Sequence, residues 1–212
     1  QDFKYAIVGG AAVSVWYNGA RAVSPEDFDI KILPSEEKKL VKTLTDNGFR
    51  LKRKNAFMDS VWLVFEKDRQ GFDVGIAEKE WDIIGIKKAK KLTYKGFPVR
   101  VIPIEYLIIS KLFAGRTKDY RDVALLLKSG KVDFELIRKI VKRFIPSELD
   151  ELENLITYAK EFDTKDLNKL FEKLQQEEKE RQEFKEFFNE LRDAFHKSLE
   201  EENGDKSNEE SD

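Results

Sequence analysis

Three aspartates in this chain have the spacing of a divalent-metal site. Asp27 and Asp29 lie in the predicted strand Asp27–Leu33, and Asp73 lies early in another predicted strand, Phe72–Ile76. Successive side chains in a strand point to opposite faces, so Asp27 and Asp29 project to the same side. Magnesium takes oxygen ligands and is usually held by one or two carboxylates together with substrate phosphates. Two converging carboxylates, with a third on a neighbouring strand, therefore predict a site for a metal pair.

A glycine pair precedes these aspartates. Gly9 and Gly10 follow a short apolar strand, Tyr5–Val8, and begin a predicted helix that ends near Gly19. Glycine allows the backbone to approach a ligand closely, and the free N–H groups in the first turn of a helix bind anions. The order of strand, glycine turn and helix therefore indicates a phosphate-binding turn. A tight turn without a ligand is the alternative.

Residues 104–114 are almost wholly apolar apart from Glu105, Ser110 and Lys111. This pattern predicts a buried helix that contains one lysine. A buried ammonium without a partner is costly, so we expect Lys111 to reach an anion or to extend its head to solvent, and we favour a triphosphate oxygen. On the next predicted helix, Asp119 and Asp122 share a face and could act as acidic ligands. Ion pairs with Arg116 or Lys118 are the explanation of these two carboxylates that we favour.

The elements that position these residues include both strands and helices as far as Pro103, and only helices are predicted after it. Ser35 and Asp133 have the residue types and positions of helix N-caps. Apolar alternation and turn residues predict three further strands, which are Ser60–Glu66, Leu92–Tyr94 and Phe97–Val101. The predicted fold class is α+β, a mixed β-sheet flanked by helices, with an all-helical C-terminal region.

The chain is expected to divide into four parts. We expect residues 1–103 to form the α/β core and residues 104–146 to form helices packed on that core. We expect residues 147–200 to form an acidic helical C-terminal region, and residues 201–212 have the composition of a disordered tail. The 212-residue length suits one core with an appendage rather than several large domains.

Composition excludes several classes of protein. The chain has no cysteine, so disulfides and thiolate zinc sites are ruled out, and no long apolar run predicts export or a membrane span. We therefore expect a cytoplasmic protein without a membrane partner. The formal net charge of −2 hides an asymmetry, because residues 1–146 carry 29 Lys and Arg against 19 Asp and Glu, whereas residues 147–212 carry 10 against 22. A basic part of this kind attracts phosphates.

Two basic clusters and one apolar stripe are candidate interaction surfaces. The clusters at 50–54 and 87–91 could bind an acceptor, or they could simply be solvated faces. The stripe in the C-terminal region could dock on its own domain, or it could mediate self-association or contact a partner protein. Its members recur at helical spacing and are Phe184, Phe188, Leu191, Phe195 and Leu199. The single histidine, His196, lies in the same charged segment and is interpreted as a surface residue.

Together these segments resemble the nucleotidyltransferase superfamily of the DNA polymerase β type. The resemblance is to its small prokaryotic members, which include minimal nucleotidyltransferases and the enzyme-like partners of toxin–antitoxin pairs. Gly-Gly and the longer gap before the carboxylate pair are common in the toxin-like branch, whereas the most familiar members often carry Gly-Ser and a shorter gap. The segments that carry the resemblance are Ile7–Val13, Arg21, Asp27–Ile30, Phe72–Val74 and Lys111–Asp122.

The resemblance implies a nucleotidyltransferase-like sheet and a specific chemistry. A nucleoside monophosphate would pass from a nucleoside triphosphate to a hydroxyl of a protein or of an RNA, for example a tRNA. Two Mg²⁺ ions would bind Asp27, Asp29 and Asp73, the last of which could also act as general base. The residues implied in binding the nucleotide are Gly9, Gly10, Arg21, Ser24 and Lys111.

Two other functions are compatible with the residues. A noncatalytic module could retain the fold and bind a partner through its acidic helical region. A metal-dependent nuclease could also use three aspartates and a lysine, but a glycine turn that leads into a helix has less purpose there. The complete set of three carboxylates favours the transferase.

Overall fold

The computed structural model describes residues 3–17, 29–57, 60–68, 70–177, 179 and 182–183. Within this part of the chain the strands are β1 (Tyr5–Ile7), β2 (Ile30–Ile32), β3 (Arg50–Phe57), β4 (Ser60–Lys67), β5 (Gln70–Ile76), β6 (Lys90–Tyr94) and β7 (Phe97–Val101). The helices are α1 (Gly9–Trp16), α2 (Glu37–Asp46), α3 (Glu80–Lys87), α4 (Ile104–Ala114), α5 (Thr117–Lys128), α6 (Phe134–Phe144) and α7 (Leu149–Glu161). Residues 164–177 are also helical.

The strands form one mixed sheet in the order β3-β4-β5-β2-β1-β7-β6. β1 runs parallel to β7, and β2 runs parallel to β5, whereas the other neighbouring pairs are antiparallel. The predicted α+β class is therefore confirmed. The predicted strands Leu92–Tyr94 and Phe97–Val101 are confirmed as well, and they pair as a hairpin with Lys95 and Gly96 in its turn at φ 49° and 84°.

One face of the sheet packs against α2. Phe72, Val74 and Ile76 of β5 all contribute to this face, as their alternation in the sequence predicts, so Asp73 and Gly75 lie on the opposite face. The fully or nearly fully buried members of this core are Ile32, Leu40, Leu63, Phe65, Val74 and Ile76. The face opposite this core carries Asp73 of β5 and Lys31 of β2.

Helix α4 is buried along most of its length, as its apolar sequence predicts. It begins after Pro103 and ends at Gly115, whose φ of 64° is the left-handed conformation that terminates a helix. The predicted N-cap of α6 is confirmed, because the Asp133 carboxylate accepts a hydrogen bond of 2.9 Å from the Leu136 N–H. The predicted N-cap at Ser35 is wrong, because residues 34–36 form a 3₁₀ turn that continues into α2 without a side-chain cap.

Contacts divide the chain into two compact units, residues 1–167 and residues 168–212. The first unit contains the sheet and helices α1 to α7. The described part of the second unit is helical over residues 168–177. Across the described residues, no helix combines the length and apolar character needed to span a membrane.

Candidate active site

The glycine turn and the carboxylate strand are in direct contact. β1 ends at Ile7, and the Val8 N–H donates a hydrogen bond of 3.0 Å to the Asp29 carbonyl oxygen. Gly9 begins α1 with φ +61°, and a Cβ at this position would collide with the Asp29 carboxylate. Glycine is therefore required at position 9 for both its backbone conformation and its empty space. Gly10 follows within the first turn of α1.

Strand pairing brings the second predicted metal ligand to the same place. Ile30 of β2 is opposite Val74 of β5, so the residues that precede them, Asp29 and Asp73, come at the same end of two parallel strands spaced about 4.8 Å apart. Asp29 and Asp73 are both half-buried. Their oxygen donors suit a hard cation such as Mg²⁺, which usually needs only one or two carboxylates besides its phosphates.

Three predicted site residues, Asp27, Arg21 and Ser24, lie outside the described residues. Asp27 is two positions before Asp29 in the sequence. Among the described residues, no group of three or more acidic, histidine or cysteine side chains is close enough together to hold a metal ion. The described donors therefore fit part of the predicted site, namely Asp29 with Asp73.

A cleft of about 170 Å³ lies beside the Gly9 turn. It is formed by the face of the sheet opposite the α2 core, by α3 and α4, and by the start of α5. Its lining has a charged part and an aromatic part. The charged side chains are Asp29, Lys31, Lys79, Asp82, Lys111, Arg116 and Asp119.

Lys111 is buried at the centre of an ion cluster. Its Nζ lies 2.7 Å from Asp119 Oδ1 and 2.8 Å from Asp122 Oδ2. Arg116 adds a second cation, with Nε 2.6 Å from the other Asp119 oxygen. Of the two ion pairs that the sequence favoured for these carboxylates, the one with Arg116 is present, and Lys111 is an additional partner. The cluster fastens α4 to α5 and fixes two cations beside the cleft.

The ionisation of Asp119 depends on these cations. Burial alone would raise its pKa, but the hydrogen bond from Arg116 and the positive charge of Lys111 outweigh burial and hold the pKa of Asp119 below its ordinary value. Asp119 is therefore an anion at neutral pH. Because it is negative, it attracts and positions both Lys111 and Arg116.

A second polar group in the cleft was not predicted from the sequence. The Lys31 Nζ contacts Asp82 Oδ2 at 2.5 Å, and the Ser110 hydroxyl lies 3.4 Å from Asp82 Oδ1. Lys31 stands on the same face of β2 as Asp29, and period-two alternation could have indicated this. Its partner Asp82 is 51 residues away, and no local sequence pattern connects them.

The absence of a side chain at Gly75 makes room for Lys31. A Cβ there would lie 2.9 Å from Lys31 Cγ and 3.2 Å from the Trp62 ring. The Lys31 stem and the Trp62 indole therefore both pack against Gly75. The Lys31 ammonium is directed to Asp82, which is 1% exposed. This arrangement fixes a third cation in the cleft, near the two that Asp119 holds.

Aromatic side chains form the apolar part of the lining. Trp81 and Phe113 are in contact, with ring centroids 5.3 Å apart, and Trp62 lines the cleft from β4. Phe113 is 38% exposed although most of its helix is buried. A cleft with fixed cations next to aromatic rings can bind a phosphate group together with a flat base.

The sequence matches one protein family over more than half of its length. The profile described as "Nucleotidyl transferase AbiEii toxin, Type IV TA system" matches residues 78–201. The chain belongs to this AbiEii family, which confirms the resemblance to toxin–antitoxin nucleotidyltransferases. No curated protein sequence matches it significantly.

Several solved structures are similar to this chain. The antibiotic-resistance factor ANT(2″)-Ia in solution has 16% identity and a TM-score of 0.48, over 71% of this chain and 85% of that one. Its crystal structure with adenylyl-2″-tobramycin has 15% identity and a TM-score of 0.48, over 68% and 87%. An antigenic nucleotidyltransferase-like protein from Paracoccidioides brasiliensis has 16% identity and a TM-score of 0.38, over 70% and 84%.

Proposed function

We propose that the protein transfers a nucleoside monophosphate from a nucleoside triphosphate to a hydroxyl of an RNA or protein acceptor, as the toxin of a toxin–antitoxin pair. The reaction would take place in the cytoplasm, where nucleoside triphosphates are available. The observation that carries this proposal is the contact of Gly9 with Asp29, because it places a glycine turn that can bind phosphate beside a carboxylate that can bind a metal ion. Membership of the AbiEii family supports the transferase chemistry.

In the proposed site, Asp29, Asp73 and Asp27 would hold two Mg²⁺ ions. When bound, the ions would neutralise phosphate charge and favour ionisation of the acceptor hydroxyl. The first-turn N–H groups at Gly9 and Gly10 would donate hydrogen bonds to phosphate oxygens. Arg21 and Ser24 stay in the proposal as further phosphate contacts.

The chain's own cations are proposed to stabilise the reacting phosphates. Lys111 and Arg116 are held by Asp119 before substrate binds, so little reorganisation is needed when negative charge develops. Lys31, held by Asp82, adds a third fixed cation on the strand face that carries Asp29. Phosphoryl transfer depends mainly on positioning and charge stabilisation, and these fixed cations supply both. Asp73 is the proposed acceptor of the hydroxyl proton.

A labelling assay tests the proposal. Purified protein with Mg²⁺ and each α-labelled triphosphate should label total RNA, a protein partner or the protein itself. Asp29→Asn and Asp73→Asn should abolish labelling while the melting temperature changes little. Asp46→Asn removes a carboxylate that is exposed on α2 and should leave labelling intact. Absence of transfer with all four triphosphates, together with absence of metal-dependent nucleotide binding, contradicts an enzymatic function.

The same assay separates the alternative functions. A nuclease would shorten the RNA without transferring label to it, and the Asp29→Asn variant would stop that shortening. A noncatalytic binding module would neither label nor shorten RNA, and its Asp29→Asn variant would still bind its partner. Label that remains in both aspartate variants would show that other residues carry the chemistry.

A further inference from the structure

The two edges of the sheet are both basic, but their lysines differ in environment. On the β3 edge, Lys52 forms an ion pair of 2.8 Å with Glu66, and Lys54 forms one of 2.8 Å with Glu37. A register shift at Lys52 also interrupts the pairing of β3 with β4. Paired charges and a bulge are the usual means of preventing an exposed edge from pairing with another chain. The ion-paired lysines and the bulge on β3 are therefore explained by protection of this edge against pairing with another chain.

The β6 edge carries charge that is not neutralised. Residues 83–104 contain five lysines and one arginine and no acidic residue. The lysines are exposed, and none of them forms an ion pair with another described residue. Lys90 and Lys95 instead lie over the rings of Trp16 and Tyr94, contacts that leave their charge available. The five exposed lysines of this segment are Lys87, Lys88, Lys90, Lys91 and Lys95. An uncompensated surface of this kind attracts polyanions.

Phe97, on the strand β7 that pairs with β6, is an exposed aromatic residue. Phe97 follows the Lys95-Gly96 turn and is 72% exposed, more than any other exposed large hydrophobic residue among those described. The lysines of β6 suffice to keep this edge strand from pairing, so edge protection does not explain an exposed phenylalanine on β7. Exposed aromatic rings beside lysines are the parts of a surface that binds single-stranded nucleic acid, because every base can stack on a ring.

Strand register connects this edge to the cleft. Lys90 pairs with Val101, and Val101 pairs with Ile7, which is two residues before Gly9. The start of β6 is therefore two strand spacings, about 10 Å, from the end of β1 at which the glycine turn begins. Phe97 lies at the other end of β7, four residues or about 13 Å away. The lysines from Lys87 to Lys95, together with Phe97, form a basic track. This track begins next to the active-site end of the sheet and leads away from it.

We propose that the β6–β7 edge, from Lys87 to Phe97, binds single-stranded RNA. The lysines contact its phosphates, and Phe97 stacks with a base. The inference rests on the proposed function only in identifying this RNA as the acceptor whose hydroxyl reaches the cleft. Binding itself needs neither nucleotide nor catalysis, so it can be tested separately from transfer.

The test is a binding titration without nucleoside triphosphate. The probe is a fluorescent, unstructured RNA of about 20 nucleotides, long enough to cover the track. The triple variant Lys87→Gln, Lys91→Gln and Lys95→Gln should bind at least tenfold more weakly. Its plot of log K against log salt should be flatter by about 2, since each lost phosphate contact removes about 0.7 from a single-strand slope.

A matched triple variant controls for net charge. Lys42→Gln, Lys52→Gln and Lys54→Gln remove the same number of charges from exposed, ion-paired positions on α2 and β3. This variant should bind the RNA as the unmodified protein does. An equal loss of binding in both triple variants would show a general effect of charge and would overturn the assignment to the β6 edge.

Phe97 tests the stacking component. Phe97→Ala should weaken RNA binding about tenfold with its salt slope unchanged, and Phe97→Trp should restore it, because stacking needs a ring and contributes no charge. The side chain is largely exposed, so its removal should leave the melting temperature nearly unchanged. Unchanged RNA binding by Phe97→Ala would overturn the stacking role.

Two further probes separate other polyanions. Duplex RNA of the same sequence should bind more weakly, since its bases are not free to stack. Vesicles of phosphatidylcholine with phosphatidylserine should not bind at physiological salt. Preference for the duplex, or binding to the vesicles without binding to the RNA, would overturn the proposal.

Discussion

Gly9 is the residue at which the fold and the proposed chemistry depend on each other. Its backbone is in the left-handed region, and the space that a Cβ would fill is occupied by the Asp29 carboxylate. A side chain would therefore strain the turn and also displace a proposed metal ligand. These two effects can be separated, because Gly130 also has a positive φ but has open space where a Cβ would lie.

Gly9→Ala should abolish nucleotide transfer and lower the free energy of unfolding by about 2 kcal/mol or more, since the strain of a positive φ adds to the collision with Asp29. Gly130→Ala is the matched control, because Gly130 has φ +69° and open space around it. It should cost about 1 kcal/mol and leave transfer intact. Urea denaturation and the labelling assay measure the two effects. Equal activity of the two variants would contradict the proposed role of Gly9.

Lys111 combines a structural task with the catalytic one proposed for it. Lys111→Met leaves two buried carboxylates with one cation fewer, so it should cost about 3 kcal/mol of stability, and transfer should be lost. The double variant Lys111→Met, Asp122→Asn should recover part of that stability because one buried charge is removed. Denaturation curves and transfer rates of both variants give the comparison. Recovery of transfer together with stability would mean that Lys111 acts only through the fold.

At the scale of elements, the junction of α4 and α5 was predicted in part. The apolar run that predicts a buried α4 and the acidic pair on α5 are both visible in the sequence. The contact between them is not, because Gly115 must end α4 and reverse the chain before Lys111 can meet Asp119 and Asp122. The strand β3 was not predicted either. Its charged residues suit an edge and lack the apolar alternation that identifies an interior strand.

The junction of α4 and α5 should contribute less to stability in acid. The folded state holds the pKa of Asp119 below its ordinary value of 3.8, so its contribution to stability is complete above that pH and is lost as the pH falls through the folded pKa. The melting-temperature difference between the unmodified protein and Asp119→Asn should be constant above about pH 5 and should shrink below about pH 4. Thermal melts across this range measure it.

Asp46→Asn provides the control for this pH series. Asp46 pairs with Lys42 on the exposed surface of α2, and such pairs contribute little to stability. Its melting temperature should follow that of the unmodified protein at every pH. A difference for Asp119→Asn that grows as the pH falls would contradict the assigned direction of its pKa.

At the scale of the whole molecule, charge is divided along the chain. Residues 178–212 carry six Lys and Arg and 13 Asp and Glu, so the formal net charge changes from −2 to +5 when they are removed. The proposed site residues all lie in the first compact unit, residues 1–167. The family match nevertheless continues to residue 201, so the C-terminal region is part of what defines the family.

Deletion of residues 178–212 should leave the rate of nucleotide transfer unchanged, since the proposed site is in the first unit. If the protein is instead a noncatalytic module, the deletion should abolish capture of its partner. Transfer assays and pull-downs on the same preparations distinguish these outcomes, and a thermal melt checks that the shortened chain is folded. Loss of transfer from a folded, shortened chain would mean that the C-terminal region takes part in the reaction.

The sequence by itself determined the local features: the glycine turn, the aspartates, the buried helix α4 and the faces of β5. These follow from periodicity and residue type over a few neighbours. Only the tertiary structure decided which of them meet. Strand order placed Asp29 beside Gly9 and Asp73, and helix packing joined Lys31 to Asp82 across 51 residues. Contacts between distant residues depend on the packing of whole elements, and no local pattern in the chain encodes them.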